Sequence, residues 1–433
     1  MASVEVNGGS GSVAESEDGG LDKGKSGTMM TTTTTKKEKK KSPKSSYMRT
    51  LSCLMTEEDG KGNFDMEVEA DVGGDSTTTM TTPTHLVVMV NGIIGSAHNW
   101  KYAAKQFLRK YPKDVIVHCS ECNSSLLTFD GVDVMGDRLA DEVLSVVKRH
   151  PGVQKISFIG HSLGGLIARY AIARLYKRDV TGELPQGNGE CRNNESGDQC
   201  LKEKFKGKIA GLEPVNFITS ASPHLGSRGH KQVPAFCGFH TLEKVAARSS
   251  WFLGRTGKHL FLTDNDEGKP PLLVQMASDG GDLKFISALQ SFRHRVAYAN
   301  ARFDHFVGWS TSSLRRSNEL PKRKNLKGYG KYPHIANVET AKNATTQRKV
   351  LLGTILNGSK TMELEDISVS LLFSTIVEEM LRGLTTVSWE RVDVYFRGSK
   401  QRFLAHNTIQ VKTYCINSDG ADVIEHMIDN FLL

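Results

Sequence analysis

Long apolar runs are what this sequence most lacks. None approaches the about 20 consecutive apolar residues that a membrane-spanning helix needs, so no transmembrane segment is expected. The N-terminus lacks the apolar core of a secretory signal, and Glu5, Glu15, Glu17 and Asp18 stand where a transit peptide avoids acids. Cysteine is sparse too. The 433 residues hold seven, an odd number at irregular spacing, which argues against a disulfide framework. Cys119 and Cys122 form a C-x-x-C with no second pair to complete a zinc site, and read as buried or partly exposed thiols after a strand. With no metal-ligand spacing and no phosphate-cradling loop, neither a metal nor a cofactor is expected. Nor is there a large excess of one charge. A net +8 spread over this length selects neither nucleic acid nor anionic lipid, and a nucleic-acid role would rest on a basic tail alone. The compartment these absences suggest is the cytoplasm, with plastid and nuclear targeting left open.

Hydrophobic residues make up only 38% of the chain, and the deficit is local. Met1 to about Thr84 is dominated by Gly, Ser, Thr, Lys and acids, including Thr31–Thr35 and the lysine-rich run Lys36–Lys41. Such a segment buries too little apolar surface to offset its ordering entropy, so residues 1–84 are expected to form a disordered tail. Within it only Phe64, Met66, Val68 and Ala70 alternate, as one edge strand would.

From His85 the pattern changes. Leu86–Val90 is a short continuous apolar run ending at Asn91-Gly92, as a strand buried on both faces reads. Further strands are expected at Val115–Cys119, Ile156–Gly160, Val215–Ser220, Arg295–Asn300 and Val392–Phe396. Helices are expected at 97–110, 132–149, 163–175, 368–384 and 422–432. The second carries Met135, Leu139 and Val143 at helical spacing. Alternating strands and helices imply a mostly parallel sheet with right-handed crossovers, flanked by helices, over 85–433. Polar or irregular insertions interrupt it at about 177–208, 228–292 and 311–356.

The motif that carries chemistry is Gly160-His161-Ser162-Leu163-Gly164, a G-x-S-x-G set between an apolar strand and a helix. In that context the serine sits on a tight turn that lifts its hydroxyl above the carboxyl end of the sheet. The Leu163 N–H, at the helix start, then faces a developing oxyanion. A second donor is needed from the loop after an earlier strand, and Asn91-Gly92-Ile93-Ile94-Gly95 stands there, offering the Ile93 N–H. A neutral serine attacks poorly, so a histidine base and an orienting carboxylate must follow in chain order. Asp304, after the strand ending at Asn300, and His406, after the strand ending at Phe396, fit. The rival histidines fit less well. His305 adjoins the acid, His334 lies in a basic insertion, and His426 falls inside the last helix; Asp393 lies within a strand.

The run from His85 to Tyr176, with VNGIIGSAHNW and FIGHSLGGLIARYA, resembles the plant branch of a serine esterase family of lipase-like α/β-hydrolases. NFITSASPHLG, VAYANARFDHFVGWSTSSLR and AHNTIQVK extend the resemblance over most of the chain after residue 84. It implies an α/β-hydrolase fold and a carboxylic ester substrate, plausibly a glycerolipid or its lyso form. It places the nucleophile on Ser162, the acid on Asp304 and the base on His406. The two antiparallel strands that open many α/β-hydrolases are not evident in the sequence.

Insertions after the strand at 215–220 often form a cap, and Phe236, Phe239, Trp251, Phe252, Leu253, Leu260, Phe261, Leu262 and Leu273 would suit acyl chains there. His224 is a pocket-lining candidate without a catalytic role. The expected partner is a small-molecule or lipid ester, with peripheral contact with a lipid surface compatible. Two alternatives share the fold: an acyltransferase using the same triad, and a ligand-binding homologue without turnover.

Overall fold

A computed structural model describes residues 54–58, 64–68, 82–177, 207–227, 253–265, 268–328, 330–341 and 364–433. Nine strands of these residues form one sheet: β1 (Leu54–Glu58), β2 (Phe64–Val68), β3 (His85–Val90), β4 (Val115–Cys119), β5 (Lys155–His161), β6 (Glu213–Ser220), β7 (His294–Asn300), β8 (Ile335–Glu339) and β9 (Glu390–Val394). Their order across the sheet is β1-β2-β4-β3-β5-β6-β7-β9-β8. The central strands from β4 to β9 pair in parallel, and β1, β2 and β8 close the two edges antiparallel. Parallel strands need crossovers, and the connections supply helices to both faces.

The helices sort by their apolar stripes. Helix α1 (Lys101–Lys110) buries Ala103, Ala104, Phe107 and Leu108. It shares one core with the C-terminal helix, whose Val423, Ile424 and Met427 face the same side. On the other face, α2 (Val132–Arg149) presents Met135, Leu139, Val143 and Val146, and α3 (Leu163–Leu175) is buried nearly all round. Helix α4 (Gly254–Phe261) packs beside α2, and the α5 helix (Leu364–Leu384) ends in that same core at Met380, Leu381 and Leu384. The C-terminal helix, α6 (Ala421–Asp429), is followed by Leu432, which is tied to β6. The Asn216 carboxamide donates to the Leu432 carbonyl at 2.7 Å and accepts its N–H at 3.1 Å.

The structure corrects three expectations. The segment before residue 84 is not wholly tail: β1 and β2 pair with each other, and Phe64–Met66 of β2 pair with Val117–Cys119 of β4. The sheet therefore opens with two antiparallel strands and begins before residue 85. Alternation marked β2 but not β1, because backbone pairing to an open strand edge needs little apolar sequence. The β2 strand is also not the edge; β1 is. Third, the 311–356 insertion is less irregular than expected. It contains β8, pinned by a buried ion network in which Arg315 Nη1 meets Asp393 Oδ1 at 2.7 Å and Arg315 Nε donates to Glu339 Oε2 at 2.9 Å. Trp309 and Asn337 also donate to Asp393, which explains a carboxylate inside a strand. The lysine run and the 178–206 insertion lie outside the described residues.

Candidate active site

The β5 strand lies at the middle of the sheet, and its last residues turn sharply into α3. Ser162 stands at that turn with φ 54 and ψ −126, a conformation that non-glycine residues rarely hold. Close packing around the turn enforces it. A side chain on Gly164 would place its Cβ 2.2 Å from the Val90 carbonyl oxygen, and one on Gly92 would lie 2.8 Å from Ser162 Cβ. The glycines let the β3 loop and the serine turn touch.

Three side chains from three separate strand ends meet there. His406 Nε2 lies 3.0 Å from Ser162 Oγ, and His406 Nδ1 lies 3.0 Å from Asp304 Oδ2. With Asp304 ionised, Nδ1 carries the proton and donates, leaving Nε2 to accept from the serine hydroxyl. Asp304 is held from all sides. Its Oδ1 accepts the N–H groups of Phe306 and Val307, each at 2.9 Å, and its Oδ2 accepts the Asn300 carboxamide at 2.8 Å. Burial acts to raise its pKa, but the His406 imidazole and these hydrogen bonds outweigh burial, so the net direction is down.

His161, the variable residue of the pentapeptide, has a position that the sequence reading missed. Its Nε2 lies 2.7 Å from the His406 carbonyl oxygen, and the two rings sit 4.8 Å apart. Burial, with the neighbouring His406, lowers the His161 pKa to about 3. A neutral ring that donates to a carbonyl therefore ties the Ser162 turn to the His406 loop. Only its place inside the motif could have marked it.

The N–H groups of Ile93 and Leu163 have no hydrogen-bond acceptor among the described residues. Leu163 opens α3, so its N–H has no intrahelical partner. Both residues line a pocket of about 330 Å³ whose wall includes Ser162 and His406. The Asn91 carboxamide donates to the Asn123 carbonyl at 2.9 Å, which fixes the β3 loop to the β4 loop.

The remaining sequence candidates fall elsewhere. His305 is exposed. His334 pairs with Asp422 at 2.9 Å, and His426 accepts or donates to the Tyr298 hydroxyl at 2.9 Å in the core. His224 does not line the pocket. It is buried against Trp389, bonded to Thr219, and burial lowers its pKa; its carbonyl accepts from the buried Arg169. The sequence put it at the strand's end correctly, but the turn at Ser222–Leu225 folds its ring inward. Leu253, Leu260 and Phe261 of the expected cap line the pocket, while Leu262 and Leu273 are buried core. Phe236, Phe239, Trp251 and Phe252 lie outside the described residues. Cys122 is a free thiol, and burial pushes its pKa up, which keeps it protonated and inert.

Residues 80–314 match the sequence profile of the family described as "Putative serine esterase (DUF676)". The chain belongs to this family. Relatives include "Putative lipase ROG1" of Saccharomyces cerevisiae, 31% identical over 241 residues, covering 55% of this chain and 29% of that protein. The "Triacylglycerol lipase" of Pseudomonas fragi is 25% identical over 154 residues, covering 34% of this chain and 49% of that protein. The chain thus spans under a third of the yeast relative's length. Among solved structures, carboxyl esterase 2 from the fungus Tuber melanosporum has 10% identity and a TM-score of 0.39, over 88% of this chain and 89% of that one. The fold of this family member is α/β, with a mostly parallel sheet flanked by helices. Among its described residues no helix is long and apolar enough to cross a membrane.

Proposed function

We propose that this protein hydrolyses carboxylic esters of lipids through Ser162, His406 and Asp304. The observation that carries the reading is the unbroken chain of contacts from Asp304 through His406 to Ser162, each 3.0 Å long, at the wall of a largely apolar pocket. Ser162 Oγ attacks the ester carbonyl carbon as His406 Nε2 takes its proton. Asp304 keeps the imidazole in the tautomer that can accept and stabilises the imidazolium. The N–H groups of Ile93 and Leu163 receive the oxyanion, where fixed donors in a water-poor site stabilise charge far better than water does. His406 then protonates the departing alcohol. Water, deprotonated by the same base, releases the acid from the acyl-serine. Ile93, Ile94, Leu260 and Phe306 give the pocket an apolar wall suited to an acyl chain.

The three side chains act as one unit, so their losses should not add. Ser162→Ala, His406→Ala and the double variant should each lose on the order of 10³-fold or more in kcat on p-nitrophenyl butyrate and end at similar residual rates. His426→Ala should retain near wild-type turnover. A dead His426→Ala beside an active His406→Ala would reassign the base. Full activity of Ser162→Ala would overturn the serine-hydrolase reading, and an absence of both turnover and Ser162 labelling by a fluorophosphonate would favour a binding protein. Transfer of the acyl group to an added alcohol faster than to water would make the same machinery an acyltransferase.

A further inference from the structure

One wall of the pocket differs from the rest. Lys412, half-buried, lines it together with Asn99, Asn407 and Gln410, and none of the described residues lining the pocket is an aspartate or glutamate. Lys412 has no acidic partner among the described residues. The charge is close enough to the reacting groups to disfavour protonation of His161. Gln410 is buried and its Nε2 finds no acceptor. The side-chain oxygen of Asn99 is already used, accepting the Ser96 N–H at 3.0 Å, so its amide end remains a donor.

This wall is built, not draped. Ile409 and Val411 anchor the segment in the core, and the alternate residues Gln410 and Lys412 line the pocket. A turn in which the Lys412 N–H donates to the Asn407 carbonyl at 3.1 Å closes it, with Val411 at φ 56. Tyr414 then stacks on Tyr102 at 5.0 Å, which brings the segment against the start of α1, beside Asn99. The apolar wall comes from other loops, at Ile93–Ile94, Leu260–Phe261 and Phe306–Val307. An ester's acyl and alcohol parts diverge from one carbonyl carbon, so two unlike walls around one serine sort them.

We infer that Asn99, Asn407, Gln410 and Lys412 form a subsite for a phosphate group on the alcohol side of the ester. This rests on the ester-hydrolase reading above. A cation and neutral donors without a carboxylate match phosphate oxygens, which only accept, and charge-assisted hydrogen bonds are the strong ones. A neutral glycerol headgroup would leave Lys412 uncompensated.

The test uses binding, which does not depend on turnover. In the full-length Ser162→Ala protein, dissociation constants are measured for 1-lauroylglycerol and 1-lauroylglycerol 3-phosphate, both below their micellar concentrations. The phosphate form should bind about tenfold more tightly at low salt. Adding Lys412→Met should abolish that preference, and Lys412→Arg should keep most of it. A second measurement needs no variant: raising salt from about 0.01 M to 1 M should shrink the preference, since the screening length falls from about 30 Å to about 3 Å. Equal affinities in the Ser162→Ala protein, or a preference that survives Lys412→Met, overturn the subsite. Absence of Ser162-dependent cleavage of any ester would instead overturn the hydrolase reading, with the binding preference unaffected.

Discussion

Mild acid should unfold this protein through its histidines before its carboxylates titrate. His85 and His161 are buried, and burial, with nearby cations in the first case and His406 in the second, lowers each pKa from 6.5 to about 3. In the unfolded chain both regain 6.5, so below that pH the unfolded state binds more protons than the folded one. The stability they contribute is fully present above pH 6.5 and is lost as pH falls toward 3. Between pH 7 and pH 5 an unfolded histidine gains about three quarters of a proton while the folded one gains almost none. Linkage puts the loss at about 2 kcal/mol per residue, or about 4 kcal/mol for the pair. Against a typical total of about 5–15 kcal/mol, that is a large share. His224, His259 and His426 are shifted in the same direction by burial and add to it. Urea unfolding followed by tryptophan fluorescence at pH 7, 6 and 5 reads the effect directly. His85→Gln isolates one contributor, since the His85 ring hydrogen-bonds only Ser157, at 2.7 Å, and lies beside the start of β5, at the other end of that strand from the serine turn. That variant should lose about 2 kcal/mol less stability than wild type between pH 7 and pH 5. A stability that stays flat from pH 7 to pH 5 would refute the reasoning.

Other consequences concern single contacts. His161→Leu leaves the buried His406 carbonyl without its donor and should lower kcat by about tenfold or more with KM nearly unchanged, at a stability cost of about 1–3 kcal/mol; a wild-type kcat would remove His161 as a positioning residue. Arg315→Met leaves the buried Asp393 without its cation, while Glu339 keeps Arg391, and should cost about 3–5 kcal/mol in chemical denaturation, whereas a loss under 1 kcal/mol would mean that solvent reaches the network. Deleting residues 1–48 should leave thermal unfolding unchanged, while deleting residues 1–81 removes β1 and β2, uncovers the β4 edge and should lower the midpoint and promote association. Identical melting of the two truncations would mean that the hairpin adds nothing to the sheet.

What the sequence made legible was local. The central strands are continuous apolar runs, and the serine turn is a five-residue pattern between a strand and a helix, so both stand out without tertiary knowledge. Asp304 and His406 emerged from chain order and from lying just past strand ends, and the structure brings both to Ser162. Of the β1–β2 pair only β2 was legible, since β1 rests on a neighbour's open edge, and β8 was not, because its partners, Arg315 and Asp393, lie far off in sequence. His161 and Lys412 were unread for a related reason. A histidine in a pentapeptide and a lysine in a polar stretch acquire meaning only from the His406 carbonyl and the pocket wall that they meet.

The separation of Ser162 from His406, 244 residues along the chain, has a consequence for how the protein is made. On the ribosome, β5 and its serine turn emerge early, yet the base reaches that serine only after β9 has inserted beside β7. The tie between Asn216 and Leu432 then fastens the last residues to the sheet's middle. Before that insertion Ser162 stands without His406, so on the proposed mechanism ester hydrolysis would appear only once β9 is in the sheet.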